Sequence, residues 1–223
     1  MKNIFSIFGK NISMKNFLRL VLVFFVGWMN AQQKIERLDT LKFKNKTQLQ
    51  NNAFYLADDA SILKYFIKAS DKKFKMVYTF TDWCKPCREK FPQILQFENE
   101  FKEVADVFYV TDIYRESSYA STDKYLKSIG CIAPVFCIAD NDAFKNAKGK
   151  FVYSVFNPEK KKDTKADRYT FFTQNLAPMH WFYGYSLVVI YDENNKVVYA
   201  STYNETHEQV YEKIRSILEK TSS

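Results

Sequence analysis

The most constraining stretch of this 223-residue chain is Thr81-Asp82-Trp83-Cys84-Lys85-Pro86-Cys87-Arg88. A strand-like run, Phe74 to Phe80, leads into it, and a helix-like run, Glu89 to Phe101, leads out. Two cysteines separated by two residues at such a junction are the sequence form of a redox dithiol. Two intervening residues on a first helical turn bring the sulfurs close enough to bridge. The helix N-terminus, with its unpaired N–H groups and its dipole, then favours a thiolate on the first cysteine. Lys85 and Arg88 add positive charge in the same sense. The thiolate is the species that attacks a disulfide.

The N-terminal segment reads as an address. Met14 to Ala31 has a basic start with Lys15 and Arg19, an apolar run from Leu20 to Trp28, and a small residue, Ala31. That is the pattern of a signal peptide spanning residues 1–31, with cleavage before Gln32. Its apolar core is far shorter than the roughly 20 residues that cross a bilayer, so a membrane tether is expected only if the signal is retained. Export places the dithiol in an oxidising compartment, periplasmic or otherwise extracytoplasmic. The same segment explains half of the charge. The chain carries 33 Lys and Arg against 25 Asp and Glu, a surplus of +8. Four of the basic residues, Lys2, Lys10, Lys15 and Arg19, lie in residues 1–31, which hold no acid; without them the surplus is +4. A surplus so diffuse argues against nucleic acid as a partner.

After the address, residues 32–52 are polar and read as a lead-in, with an edge strand over Glu36 to Phe43. Residues 53–223 read as one domain. Asp58-Asp59-Ala60-Ser61 supplies capping chemistry for a helix through Ala69. The helix after the dithiol carries Phe91, Ile94, Leu95, Phe97 and Phe101 on one face and polar residues elsewhere, with Pro92 inside it. Val104 to Ile113 reads as a second strand, and Ser118 to Ile129 as a helix stopped by Gly130. Cys131 to Ala139 is a further apolar run. Cys131 and Cys137 read either as two buried thiols or, with a turn near Pro134, as a second disulfide; on one strand they would lie about 20 Å apart. Asn157 to Lys165 reads as a charged, solvated loop, and Asp167 to Leu176 as a short helix. Ser186 to Tyr191 and Val197 to Ser201 form a β-hairpin. Thr206 and Gln209 form a capping box that opens a last helix. Alternation of strands and helices implies an α/β fold, a central mixed sheet flanked by helices on both faces.

Trp83-Cys84-Lys85-Pro86-Cys87-Arg88 after a strand, Pro92 five residues beyond the second cysteine, and the late hairpin and helix together resemble the thioredoxin superfamily. With the signal peptide, the chain is most similar to the TlpA-like extracytoplasmic thioredoxins, over roughly Ala53 to Lys220. The resemblance implies a thioredoxin-like fold with an insertion before the final β-hairpin, and thiol–disulfide oxidoreductase activity, mostly in the reducing direction. It implies Cys84 as attacking thiolate, Cys87 as the buried resolving thiol, and Trp83 packed beside the pair, with Lys85 and Pro86 completing the motif. The implied partners are disulfide-containing client proteins and an upstream electron-donor protein. No cofactor or metal is implied, and a zinc site would need a second ligand pair that Cys131 and Cys137 do not supply.

Two positions depart from the family. Its buried acid, six residues before the first cysteine, is here Tyr78, a poor base at neutral pH. Its cis-proline, just before the hairpin, is here Tyr185, where a cis bond would cost several kcal/mol and a trans bond is expected; Pro134 and Pro178 are the other candidates for that place. The run Pro178-Met179-His180-Trp181-Phe182-Tyr183-Gly184-Tyr185 offers either a docking rim or core packing, with His180 as a candidate base. Two other readings follow. Thr81 and Cys84 copy part of a peroxidase signature whose proline is here Val77. The chain could equally keep the fold as a binding module with weak redox turnover.

Overall fold

Every residue of Phe74–Phe80 is buried, the mark of a strand covered on both faces. In the computed structural model, which describes residues 35–113, 115, 117–177 and 184–220, this strand lies in the interior of the seven-stranded sheet. The expected signal peptide and residues 178–183, including Pro178, His180, Trp181, Phe182 and Tyr183, lie outside the described residues.

The elements run in order β1 (Ile35–Arg37), β2 (Phe54–Ala57), α1 (Ala60–Lys68), β3 (Phe74–Phe80), α2 (Lys85–Glu100), β4 (Ala105–Asp112), α3 (Ser117–Ser128) and β5 (Val135–Ile138). Then come β6 (Tyr153–Asn157), β7 (Lys162–Ala166), α4 (Arg168–Leu176), β8 (Val188–Tyr191), β9 (Val197–Ala200) and α5 (His207–Glu219). The main sheet has the order β1-β2-β5-β4-β3-β8-β9. Strands β1 to β5 pair in parallel, and β8 and β9 are antiparallel. The unit β3-α2-β4 followed by β8-β9-α5, with spatial order β4-β3-β8-β9, is the thioredoxin-like topology. Strands β6 and β7 and helix α4 form the insertion ahead of the final hairpin.

Period-two alternation sorts the strand residues between two cores. Val77, Phe108, Val110, Phe136 and Val189 face Leu63, Phe66 and Ile67 of α1 and Tyr169, Phe172 and Leu176 of α4. Met76, Tyr78, Val107, Tyr109, Val188 and Ile190 face Phe91, Ile94 and Phe97 of α2, Leu126 of α3 and Val210, Ile214 and Leu218 of α5. The dithiol lies in this second layer. The expected caps are present: Asp59 accepts from the Ser61 N–H, and Thr206 and Gln209 exchange both bonds of the capping box.

Two expectations are corrected. Residues 32–52 are more than a lead-in, because β1 pairs in parallel with β2 and Leu38, Phe43 and Leu49 are buried in the α1-side core. Phe43 meets Tyr55 edge-on at 5.6 Å. Among the described residues the packed unit accordingly already includes Ile35, and the expected edge strand is only Ile35–Arg37. These anchors are irregularly spaced, so no helical or strand period betrays them. The charged stretch Asn157–Lys165 is half of a hairpin, with Lys162–Ala166 pairing antiparallel to Tyr153–Asn157. Its side chains are largely exposed, so β7 carries no apolar alternation. The turn is set by the Asn157 side chain, whose Oδ1 accepts from the N–H groups of Glu159 and Lys160. Of the two readings of Cys131 and Cys137, the buried-thiol reading holds: both are free and buried, with Cys131 ahead of β5 and Cys137 inside it.

Candidate active site

Strand β3 delivers the chain to a tight turn, in which the Cys84 N–H donates to the Thr81 carbonyl at 3.3 Å. Cys84 is the N-cap of α2, with extended backbone at φ −77° and ψ 110°, and its sulfur accepts from the Cys87 N–H at 3.3 Å. Pro86 stands within the first turn of α2, where an N–H would have no helical partner, so its missing donor costs nothing there. Cys84 and Cys87 form a disulfide with their Cα atoms 5.3 Å apart, inside the usual range. Cys84 keeps 8% of its surface exposed and Cys87 none, so only the first sulfur can meet another molecule. Trp83 beside it is 66% exposed.

Beneath the first turn lies Tyr78. It is fully buried, stacks with Phe91 at 5.2 Å, and donates its hydroxyl to the Cys87 carbonyl at 2.9 Å. Burial pushes its phenol far above the ordinary value, against a smaller pull from the neighbouring Ser186 hydroxyl. Tyr78 is therefore a neutral donor, not an acid or base for thiol chemistry.

Tyr185 reaches the dithiol through Trp83, whose ring it meets edge-on at 5.1 Å. Every peptide bond among the described residues is trans, Tyr185 included. The departure from the regular chain falls one residue later, at Ser186, which has φ 84°, a left-handed conformation uncommon for a residue with a Cβ. Bonds to β3 hold it there: Ser186 N–H to the Thr79 carbonyl at 2.8 Å and Leu187 N–H to Thr79 Oγ1 at 3.0 Å.

Behind Tyr185 stands a cluster from the insertion. Its ring packs on Tyr169 at 4.4 Å, and its hydroxyl donates to Asp112 Oδ2 at 3.2 Å. The Asp112 side chain is fully buried at the end of β4, and Arg168 donates to its Oδ1 at 2.5 and 3.2 Å. Arg168 also bonds Asp140 at 3.0 Å. Tyr169 donates to the Gly184 carbonyl at 3.0 Å and bonds Thr79 at 2.7 Å. Sequence reasoning missed Asp112, Arg168 and Tyr169, because the contacts join residues 15 to 90 positions apart and no local motif marks them.

The expected helper charges stand differently. Lys85 projects into solvent and pairs with Glu89 at 3.8 Å, and Arg88 lies over the Tyr125 ring at 5.6 Å. The cation that is buried near the dithiol is Lys90, which reading α2 as an amphipathic helix assigns to the polar face. It is only 6% exposed, and its Nζ donates to the Ser186 carbonyl at 3.0 Å. Burial drives its ammonium down to about 8, against the attraction of Glu205. One signal was available: Lys90 falls on the α2 stripe with Cys87, Phe91, Ile94 and Phe97, where a lysine is out of pattern. A cleft of about 240 Å³ opens beside it, lined by Pro86, Tyr185, Tyr203, Glu205 and His207 among others.

No protein-family model matches the sequence, and a search of curated proteins also finds no match. Among solved structures, the chain overlaps the thioredoxin domain of a thiol-disulfide oxidoreductase from Bacteroides vulgatus at 14% identity and TM-score 0.42, covering 66% of this chain and 80% of that one. It overlaps a thioredoxin-family thiol:disulfide interchange protein from Chlorobium tepidum at 16% identity and TM-score 0.40, over 66% and 80%. It overlaps StoA from Bacillus subtilis at 14% identity and TM-score 0.38, over 64% and 83%. The fold assignment rests on strand order and pairing, not on these overlaps. No helix among the described residues is long and apolar enough to cross a membrane.

Proposed function

We propose that the protein is an extracytoplasmic thiol–disulfide oxidoreductase that reduces disulfides of client proteins. The single observation that carries this reading is the Cys84–Cys87 disulfide at the N-terminus of α2, with Cys84 slightly exposed and Cys87 fully buried. In the reduced protein, the Cys84 thiolate attacks a client disulfide, forming a mixed disulfide and releasing one client thiolate. Cys87 then gives up its proton and attacks the Cys84 sulfur, closing the intramolecular disulfide and releasing the second client thiolate. Two electrons pass to the client, and an upstream dithiol protein restores the reduced state. The helix terminus stabilises the Cys84 thiolate, while Trp83 and Tyr185 form the surface on which a client segment rests. Lys85 and Pro86 shape the first turn. Cleavage of the signal over residues 1–31 releases the domain into the exported space; retention leaves it tethered.

The test is reduction of insulin by the purified protein with dithiothreitol as electron source. Wild-type protein accelerates it and Cys84→Ser does not; equal rates for the two end the proposal. The reduction potential of the pair sets direction, and a value near that of periplasmic oxidants reverses it. A second reading, a binding module with weak turnover, draws on the Tyr78 hydroxyl, which supplies no proton acceptor where the family has an acid. Under it, Cys84 titrates normally while insulin reduction stays at background.

A further inference from the structure

We propose that Lys90 is the proton acceptor for Cys87 when the mixed disulfide is resolved. The inference rests on the redox reading above and extends it to a residue outside the motif.

Cys87 is completely buried, so the proton it must lose before attack has no direct path to water. Tyr78 cannot receive it, because its hydroxyl already donates to the Cys87 carbonyl and its phenol is pushed upward. Lys90 stands three residues further along α2, on the same helical face, and residues so spaced have Cβ atoms about 5–6 Å apart. Its Nζ ends at the Ser186 carbonyl, 3.0 Å away, in the segment that also holds Tyr185 against Trp83. A lysine so deeply buried is costly unless it is paired or used. The cleft beside it gives the proton an exit past Pro86 and Tyr185 to the surface where the client leaves.

The groups that face Lys90 are few. From the segment before β8 comes Tyr185, from the segment after β9 Tyr203 and Glu205, and from the start of α5 His207. On α2 itself stand Cys84 and Cys87. Glu205 is the one carboxylate that raises Lys90, and its oxygens also accept from Thr202 and Tyr199. Burial outweighs it, so a fraction of Lys90 is already neutral amine near pH 8.

The chemistry balances. The neutral Lys90 amine takes the Cys87 proton and becomes ammonium. The Cys87 thiolate attacks the Cys84 sulfur, the Cys84–client bond breaks, and the departing client thiolate carries the electron pair. Lys90 then returns its proton to that thiolate through the cleft. The cycle ends with the Cys84–Cys87 disulfide, a client thiol and Lys90 as it began.

The experiment mixes reduced protein with Ellman's reagent in a stopped-flow instrument from pH 6 to 10. The first release of thionitrobenzoate reports attack by Cys84, and the second reports resolution by Cys87. In wild type, the second phase is expected to rise with pH and level above about 8. Lys90→Met is expected to slow that phase more than about tenfold and to abolish the plateau, leaving the first phase within about twofold. Lys90→Arg keeps the charge and the bond to Ser186 but cannot give up a proton, so it should be as slow as Lys90→Met. Wild-type rates in Lys90→Met, or recovery by Lys90→Arg, overturn the inference while leaving the redox function intact. A wild type with no second phase overturns both.

Discussion

The Tyr78 hydroxyl donates to the Cys87 carbonyl at 2.9 Å, binding the floor of the sheet to the first turn of the redox helix. The carbonyl is a neutral acceptor, so this contact fixes where the helix sits without adding a charge. Tyr78→Phe is therefore expected to cost about 1 kcal/mol of stability, the usual value of one buried hydrogen bond. Insulin reduction should keep the wild-type pH profile. Urea unfolding and a turnover series from pH 6 to 9 measure both; a shifted profile would give Tyr78 a role in proton transfer.

Because only Cys84 reaches the surface, removing Cys87 should leave the first half of the reaction and stop the second. Cys87→Ser is expected to accumulate mixed disulfides with client proteins, visible as slower bands on non-reducing gels and lost with dithiothreitol. The double variant lacking both sulfurs should yield none. Adducts that persist in the double variant would trace to Cys131 or Cys137 instead.

The Asp112 carboxylate has no exposed surface, and Arg168 is the cation that binds it. Arg168→Met leaves that charge buried and is expected to cost about 3–5 kcal/mol. Tyr185→Phe removes the 3.2 Å bond to the Asp112 carboxylate and should cost less, about 1.5–3 kcal/mol. Denaturant midpoints compare the two directly. If Tyr185 forms part of the client surface, Tyr185→Phe should also alter the fluorescence of Trp83, 5.1 Å away. Equal costs for the two variants would mean that Asp112 finds other support.

Lys90 makes stability depend on pH in a definite direction. Its ammonium titrates near 8 in the folded protein against an ordinary lysine value of 10.5. Below pH 8 both states hold the proton, and the fold bears the full cost of burying the charge. Between about 8 and 10.5 the unfolded chain binds more protons, so folding stability rises with pH. Wild type should gain up to about 3 kcal/mol across that window relative to Lys90→Met. Urea midpoints at pH 7 and pH 10 give the difference; parallel curves for the two proteins would rule out a depressed Lys90.

Much of the frame was legible because its signals are local. The dithiol, the five apolar residues of β3, the Thr206 capping box and the Asn-rich turn between β8 and β9 each announce themselves within a few residues. What escaped is held together at long range. Leu38, Phe43 and Leu49 belong to the core through contacts with β2 and α1, and a polar sequence surrounds each of them. Strand β7 is almost all polar because it covers no core. Asp112, Arg168 and Tyr169 meet only after the insertion folds back on the end of β4. Lys90 could have been noticed as a break in an apolar stripe, but its meaning depends on the Ser186 carbonyl opposite.

Cys131 and Cys137 share one apolar layer with the dithiol, yet neither is exposed. Burial raises the Cys131 thiol to about 12 and lifts Cys137 well above its ordinary range, so neither ionises while the fold holds. For a protein that works on disulfides, this is a form of quarantine. The native state trades electrons through one pair alone, and the two spare thiols gain access to that exchange only when the chain opens. Each unfolding event under oxidising conditions then risks a scrambled pairing, so the working lifetime of the dithiol is set by how rarely the sheet around Cys137 comes apart.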